Sequence, residues 1–253
     1  MKAFMKKEWM EMTRTGRLWI LLFVFVLFGI MNPAVAKLTP WLMKMMSDSF
    51  ADAGIVIKEV PVSAMDSWTQ FFKNMPMGLI AFVLIWSASF TTEYQRGTLV
   101  QIVAKGMSRS KIMAAKAGMM FGIWTVLYLI CFGITYGYNA YFWDNGVASN
   151  LVFGVFCYWL FGIWVIAFLV LFSTLAQSNT QVLVGTGVVV FGVYLLGMLR
   201  KIGKFLPVKL MDGITILKGM TVQEDYIGSI CMTTGMIIIS LMMSVIFFQK
   251  KRL

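Results

Sequence analysis

Six apolar runs, each close to or above the length needed to cross a lipid bilayer as a helix, dominate this sequence. The hydrocarbon core of a bilayer is about 30 Å thick, and roughly 20 helical residues cross it. The runs lie near residues 18–36, 76–91, 117–138, 150–176, 181–199 and 227–248. Since the backbone finds no hydrogen-bond partner in lipid, each run is expected to be a helix. The sequence therefore predicts an all-α membrane protein with six transmembrane helices in a single domain, residues 1–253.

Polar and proline residues define two boundaries within these runs. No charged residue occurs between Asp144 and Arg200, a stretch too long for one span. The polar sequence QSNT at 177–180 divides it into a hairpin of two helices. In the first run, Asn32 and Pro33 are expected to bend or end the helix, because proline cannot donate a backbone hydrogen bond.

The composition supports a membrane location and argues against several kinds of chemistry. Charged residues make up 13% of the chain, whereas soluble domains carry roughly 25%. The chain contains no histidine, which excludes HExxH metalloprotease sites and histidine acid–base catalysis. Its three cysteines lie far apart inside apolar runs, so neither a metal site nor a redox pair is expected.

The net charge of +11 comes from short basic clusters that flank the apolar runs. We interpret them as topology signals and predict no nucleic-acid binding, because no basic helix or aromatic-basic sheet motif is present. With six spans both termini share one side. If that side is the cytoplasm, 13 Lys and Arg residues lie inside and 9 outside, as the positive-inside rule favours. Arg200, Lys201 and Lys204 oppose this orientation, since they crowd the outer end of the fifth span.

The first 17 residues have the pattern of a helix that lies in the membrane interface. Met5, Trp9 and Met12 follow helical spacing along one face, and Lys7 and Arg14 lie opposite. An aromatic side chain at headgroup level and basic residues toward anionic lipid are typical of such helices. The alternative interpretation is a frayed basic segment without a fixed position.

Two outer segments, 37–75 and 200–226, are long enough to contain structure of their own. SAMD at 63–66 and TVQE at 221–224 match the capping box that starts a helix. Short helices are therefore expected on the outer face, either as a lid over an exit or as ordinary loop packing.

No Asp, Glu, Lys or Arg lies in the middle of any predicted span. Ion-coupled carriers usually keep such a residue, because charge inside a membrane is costly and is retained for use. Sodium can also be held by carbonyl and hydroxyl oxygens, so an ion-driven carrier or channel stays open as an alternative. The spans also lack paired carboxylates, which argues against an intramembrane enzyme.

The third run contains two GxxxG pairs, formed by Gly118, Gly122, Gly133 and Gly137. Small residues at this spacing let another helix approach closely. We interpret them as a helix-packing seam, either one that slides during a conformational change or one that packs statically.

The segment between the second and third runs, 92–116, is basic and punctuated by glycine. Leu99, Val100, Ile102 and Val103 place an apolar stripe on a short helix outside the bilayer. Such a stripe needs a protein partner or the membrane surface to cover it. Along its length the segment contains, in order, Glu93, Gly97, Thr98, Leu99, Ser108, Arg109 and Lys116.

In this residue order and in its topology, the chain resembles ABC-2 type permeases, the membrane subunits of ATP-driven exporters. The chain differs where Gly106 and Met107 stand in place of the proline that many members carry. The resemblance implies a multi-pass protein of the bacterial cytoplasmic membrane, with both termini in the cytoplasm. It also implies pairing with a second permease subunit, either identical or different.

In that family the 92–116 loop is the coupling helix that docks on an ABC ATP-binding subunit. Carried over to this chain, Glu93 and Arg96 anchor the loop and Gly97 permits its bend. Leu99, Ile102 and Val103 fill a groove of the partner. Arg109 and Lys111 meet the acidic rim of that groove. These docking residues are Glu93, Arg96, Gly97, Thr98, Leu99, Ile102, Val103, Arg109 and Lys111. The alternative is a solvated basic loop that only sets topology.

The chain lacks a Walker A motif of its own; GMLRKIGKF at 197–205 has the wrong spacing. ATP and Mg are therefore expected in the partner subunit, with no cofactor and no enzymatic activity in this chain. The spans are rich in Met, Phe and Trp, compatible with a hydrophobic or amphipathic substrate. Resemblance to compact exporters points to export of an antimicrobial or toxin-like peptide.

Overall fold

A computed structural model of the chain describes residues 2–51, 62–95, 97–104 and 106–251. These residues form helices and connecting turns, with no strand among them. The α-helices are α1 (Lys2–Arg14), α2 (Arg17–Ala51), α3 (Ala64–Trp86), α4 (Ala88–Gln95), α5 (Thr98–Ala104), α6 (Arg109–Phe142), α7 (Leu151–Leu175), α8 (Asn179–Gly197), α9 (Arg200–Gly203), α10 (Gly213–Leu217) and α11 (Ile227–Lys250). Six segments are long and apolar enough to span a membrane: α2, α3 with α4, α6, α7, α8 and α11. The predicted all-α fold with six transmembrane helices is confirmed.

The first span is longer than the sequence predicts, because α2 passes through Pro33 and Pro40 and continues to Ala51. Pro33 cannot donate to the carbonyl oxygen of Gly29, one turn earlier. The Thr135 hydroxyl of α6 donates to that oxygen instead, at 3.2 Å. A neighbouring helix therefore satisfies the group that proline frees, and α2 does not end there.

The second span also begins earlier than expected. The capping box predicted at 63–66 is confirmed: the Ser63 hydroxyl accepts from the Met65 amide at 3.3 Å, and the Ser63 amide donates to Asp66 Oδ2 at 2.9 Å. It starts α3 rather than a separate short outer helix. Trp68 and Phe71 are fully buried on this first part of α3, so their packing draws the segment into the span.

The outer segment 200–226 folds into α9, α10 and two 3-10 helices, as the sequence predicts. The second capping box, at 221–224, was a wrong prediction. The last 3-10 helix begins at Gln223 without a side-chain cap. The Thr221 hydroxyl lies 3.3 Å from the Tyr226 hydroxyl instead. The other outer segment, 37–75, includes residues 52–61, which lie outside the described residues.

Helix α7 is the most buried of the spans and forms the centre of the molecule. Gly162 of α7 lets the Trp124 ring of α6 lie directly against its backbone. Trp124 stacks on Tyr128 at a centroid distance of 5.5 Å, and Tyr128 stacks on Tyr158 of α7 at 6.2 Å. This aromatic column joins the third and fourth spans, whereas α8 lies at the periphery and is largely exposed.

Candidate functional site

The segment between the second and third spans forms a short helix isolated by two glycine turns. Helix α5 has 7 residues, from Thr98 to Ala104. Gly97 before it has φ +65° and Gly106 after it has φ +86°. An added Cβ at either glycine meets nothing within 4 Å, so the left-handed backbone, rather than crowding, favours glycine there. Helix α5 is thus set apart from the spans on either side.

Glu93, at the end of α4, is turned into the protein and is only 4% exposed. Its Oε2 lies 3.0 Å from the ammonium nitrogen of Lys116, which is on α6 and 1% exposed. The same nitrogen lies 2.9 Å from Glu8 Oε2 on α1 and 3.4 Å from the Ser89 carbonyl oxygen. The Phe90 ring centroid lies 5.1 Å from it. Lys116 therefore joins three helices through buried contacts.

Helix α1 supplies a second cation and a third carboxylate to this group. Lys7 Nζ lies 3.0 Å from Glu8 Oε1 and 3.0 Å from Glu11 Oε2, and it also bonds Glu93 Oε1. Lys7, Glu8, Glu11, Glu93 and Lys116 are called the charge cluster below. Its three carboxylates are close enough to hold a metal ion. Two lysine ammonium groups already bind these oxygens, so the geometry does not favour a metal.

The surroundings of Lys7 keep it charged. Burial acts to lower the pKa of its ammonium, but the hydrogen bond to Glu93 and the charges of Glu8 and Glu93 outweigh it and hold that pKa above its ordinary value. Lys7 therefore carries a positive charge among the carboxylates of the charge cluster. The charge cluster fastens α1 to the end of the second span and the beginning of the third.

The apolar residues of α1 divide between the interior and the outside. Met5 and Trp9 are exposed, as an interfacial position requires. Met12 is buried in the core, so it does not belong to the exposed face that its spacing suggested. The reason is its packing: α1 lies against α2 and α6.

The apolar stripe of α5 divides in the same way. Leu99 is 1% exposed and packs into the core, whereas Val100 is 47% exposed. Val103 and Thr98 are half-buried. In this structure Leu99 therefore lies in the protein's own interior and not on an open docking face, and Val100 is the exposed apolar residue. Arg96 lies outside the described residues, as does the Ile102 side chain.

Arg109 does not face outward. Its guanidinium donates to the carbonyl oxygens of Phe248 at 3.4 Å and Gln249 at 2.9 Å, and to that of Lys251. These carbonyls end α11 and have no partner within the helix. Arg109 thus caps the last helix, while Lys111 is exposed.

The end of α11 is a part of the site that the sequence interpretation missed. Lys251 Nζ donates to the carbonyl oxygens of Thr174 at 2.9 Å and Ala176 at 2.6 Å, at the end of α7. It also lies 3.9 Å from the Tyr94 ring centroid. Burial lowers the pKa of Lys251. Basic residues beside free helix carbonyls are the signal that could have pointed to these contacts.

The four seam glycines face away from the protein. They are exposed, and an added Cβ at each meets nothing within 4 Å. Two of them line an apolar groove of about 440 Å³ between α1, α2 and α6. The groove includes Trp9, Trp19, Gly118 and Gly122. Among the described residues, no helix is therefore packed directly on the seam.

A second apolar cleft, of about 240 Å³, lies between α3, α7 and α8. Tyr158 lines it and is fully buried, and its hydroxyl has no hydrogen-bond partner among the described residues. Pro76 of α3 also lines the cleft. The cleft therefore has an apolar wall, with the unpaired Tyr158 hydroxyl buried in the protein beside it.

Comparison with known proteins gives one match. A family model described as ABC-2 family transporter protein matches residues 3–253. No curated protein and no solved structure matches the chain significantly.

Proposed function

The chain belongs to the ABC-2 transporter family, and from that membership we propose that it is the transmembrane permease subunit of an ATP-driven exporter. A separate ABC ATP-binding subunit binds ATP and Mg and hydrolyses the ATP. The face that carries α1, α5 and the end of α11, called the inner face below, lies toward the cytoplasm of a bacterium. The observation that carries this proposal is α5, a short helix between two glycine turns on a cluster of buried charges.

The charge cluster explains how force on α5 could reach the spans. Glu93 lies five residues before Thr98, and the Thr98 hydroxyl lies 3.4 Å from the Glu93 carbonyl oxygen. Separating Glu93 from Lys116 in the interior is costly, because charges interact strongly where water is excluded. Helices α1, α4 and α6 therefore move as one body when the ATP-binding subunit pulls on α5. A partner that binds two packings of the permease unequally shifts the balance between them.

The pathway for substrate requires a second permease subunit, identical or different. The exposed glycine seam supports such pairing, since it permits close approach of another helix. The apolar cleft beside Tyr158 supports a hydrophobic or amphipathic substrate, and our choice is an antimicrobial or toxin-like peptide. The apolar wall would hold its nonpolar side, and the Tyr158 hydroxyl would accept or donate one hydrogen bond.

Changing Val100 to Asp is expected to lower affinity for the ATP-binding subunit at least tenfold. A carboxylate forced against an apolar groove loses hydration without a partner, and about 1.4 kcal/mol corresponds to a factor of ten. The measurement is co-purification in mild detergent with co-expressed ABC ATP-binding subunits from the same organism, together with ATP hydrolysis by the complex. Leu99→Asp is unsuitable because Leu99 is buried.

Met220→Asp is the matched control, because Met220 is exposed on the outer segment. It is expected to retain the ATPase. Equal binding by wild type and Val100→Asp would remove α5 from the docking surface. Transport that needs a proton or sodium gradient and no ATP would overturn the exporter proposal itself.

Changing Tyr158 to Phe tests the substrate cleft. Because the hydroxyl is buried and unpaired, its removal is expected to leave the melting temperature unchanged or raise it. Transport of a labelled amphipathic peptide into inside-out proteoliposomes is expected to show a KM raised several-fold. A KM equal to that of wild type would place the peptide elsewhere.

A further inference from the structure

Positive charge is in excess on the inner face. Its acidic residues are Glu8, Glu11 and Glu93, and all three are bound within the charge cluster. Among the described residues, its exposed cations are Lys6, Arg14, Lys111 and Lys250. A partner that approaches this face therefore meets no unpaired carboxylate among the described residues, and a complementary surface is acidic.

Two of these cations lie where hydrogen bonds join α6 to α11. Gln249 Nε2 donates to the Ser110 hydroxyl at 2.9 Å, and the Arg109 guanidinium donates to the Gln249 carbonyl oxygen at 2.9 Å. Lys250 follows Gln249, and Lys111 follows Ser110, so both lysines lie at this junction. Neither forms an ion pair with a described residue, although both are exposed.

The same junction borders α5. Lys251 bonds the end of α7, and a cavity of about 250 Å³ lies between it and α5. Val100, Gln177 and Lys251 line this cavity, as does Tyr94, whose buried hydroxyl has no hydrogen-bond partner among the described residues. The end of α11 and helix α5 thus face each other across this cavity.

We propose that Lys250 of α11 joins Lys111, which the family resemblance already assigns to docking, in a second docking surface beside α5 for an acidic segment of the ATP-binding subunit. This inference rests on the proposed function. Helix α5 offers an apolar contact, and the lysine pair adds charge attraction that steers association and weakens as salt screens it. Because the lysines are carried by α6 and α11, a partner bound to both surfaces acts directly on the third and sixth spans as well as on α5.

The position of each lysine distinguishes this partner from lipid. Lys6 and Arg14 lie on α1, the helix with exposed Met5 and Trp9, where a membrane surface accounts for positive charge. Lys111 and Lys250 lie beside the coupling segment instead. The acidic surface of the ATP-binding subunit is therefore the partner to which we assign the pair.

The test compares Lys111→Glu/Lys250→Glu with Lys6→Glu/Arg14→Glu, which changes the charge of the inner face equally. Association of purified permease with the ABC ATP-binding subunit that co-purifies with wild type is measured at low and high salt. The first variant is expected to bind at least tenfold more weakly than wild type at low salt and to approach it at high salt. The α1 variant is expected to bind the ATPase as wild type does.

Equal ATPase binding by wild type and Lys111→Glu/Lys250→Glu, or an equal loss in both variants, overturns this inference and leaves the exporter proposal standing. The inference is also overturned if Lys111→Glu/Lys250→Glu binds the ATPase normally but floats less well with phosphatidylglycerol vesicles. That result would assign the two lysines to lipid. If wild type binds no ABC ATP-binding subunit at either salt concentration, the exporter proposal fails and this inference fails with it.

Discussion

Replacing Lys116 with Met is expected to destabilise the folded protein by about 3–5 kcal/mol, the cost of leaving a buried charge without its partner. Lys116 is 1% exposed and contacts carboxylates from two other helices, Glu8 at 2.9 Å and Glu93 at 3.0 Å. Without it, the three carboxylates of the charge cluster share Lys7 alone. The measurement is the thermal unfolding midpoint in detergent, followed by size-exclusion chromatography.

Two further variants separate lost charge balance from lost packing. Lys116→Met combined with Glu93→Gln removes one charge of each sign, and it is expected to recover much of the lost stability. Lys111→Met changes an exposed lysine of the same helix and is expected to alter stability by no more than about 0.5 kcal/mol. If Lys116→Met were as stable as Lys111→Met, water would have to solvate the charge cluster, contrary to its burial.

The stable double variant also tests the mechanism. It retains α5 and its exposed Val100, so it is expected to bind the ATP-binding subunit as wild type does. With the Glu93 to Lys116 ion pair absent, however, α4 and α6 are no longer joined by opposite charges. Substrate transport per ATP hydrolysed is then expected to fall, whereas unchanged coupling would show that force reaches the spans by another route.

The six spans were predictable because a bilayer demands long apolar helices, a constraint visible in sequence alone. The capping box at Ser63 was predictable for a similar reason, since its partners lie three residues apart. The length of α2 was not predictable from the sequence. Its passage through Pro33 depends on Thr135, which lies 106 residues beyond the carbonyl that it satisfies. A one-dimensional pattern shows which group proline leaves unpaired but not which helix supplies the donor.

Helix α5 shows the same limit of what sequence patterns can predict. Four of the seven residues of α5 are Leu, Val or Ile and share one broad face, so hydrophobic spacing could not show which of them lies in the core. In the structure Leu99 is buried and Val100 is exposed. Glu93 and Lys116 were visible as charges at the ends of two spans. Their pairing with α1 depends on how three helices meet, which no local pattern records.

Changing Gly162 to Ala is expected to destabilise the protein by about 3 kcal/mol, near the upper end of the usual cost of overpacking. The added Cβ would lie 2.2 Å from Trp124 Cζ2, far inside van der Waals contact. The Trp124 ring is fully buried, its Nε1 donates to the Trp159 carbonyl oxygen at 3.3 Å, and it stacks on Tyr128. The ring therefore has no free space into which to move, and α6 and α7 must separate.

Gly235→Ala is the matched control, because Gly235 lies on α11, where the added Cβ meets nothing within 4 Å. It is expected to leave the melting temperature unchanged or to raise it, since alanine favours a helix over glycine by about 1 kcal/mol. Gly162→Ala combined with Trp124→Leu is expected to recover part of the loss, because the smaller side chain vacates the occupied space. If Gly162→Ala unfolded at the wild-type temperature, α7 could not be held against Trp124. The aromatic column would then be too loose to carry movement from the third span to the fourth, and the charge cluster alone would have to link α5 to the pathway.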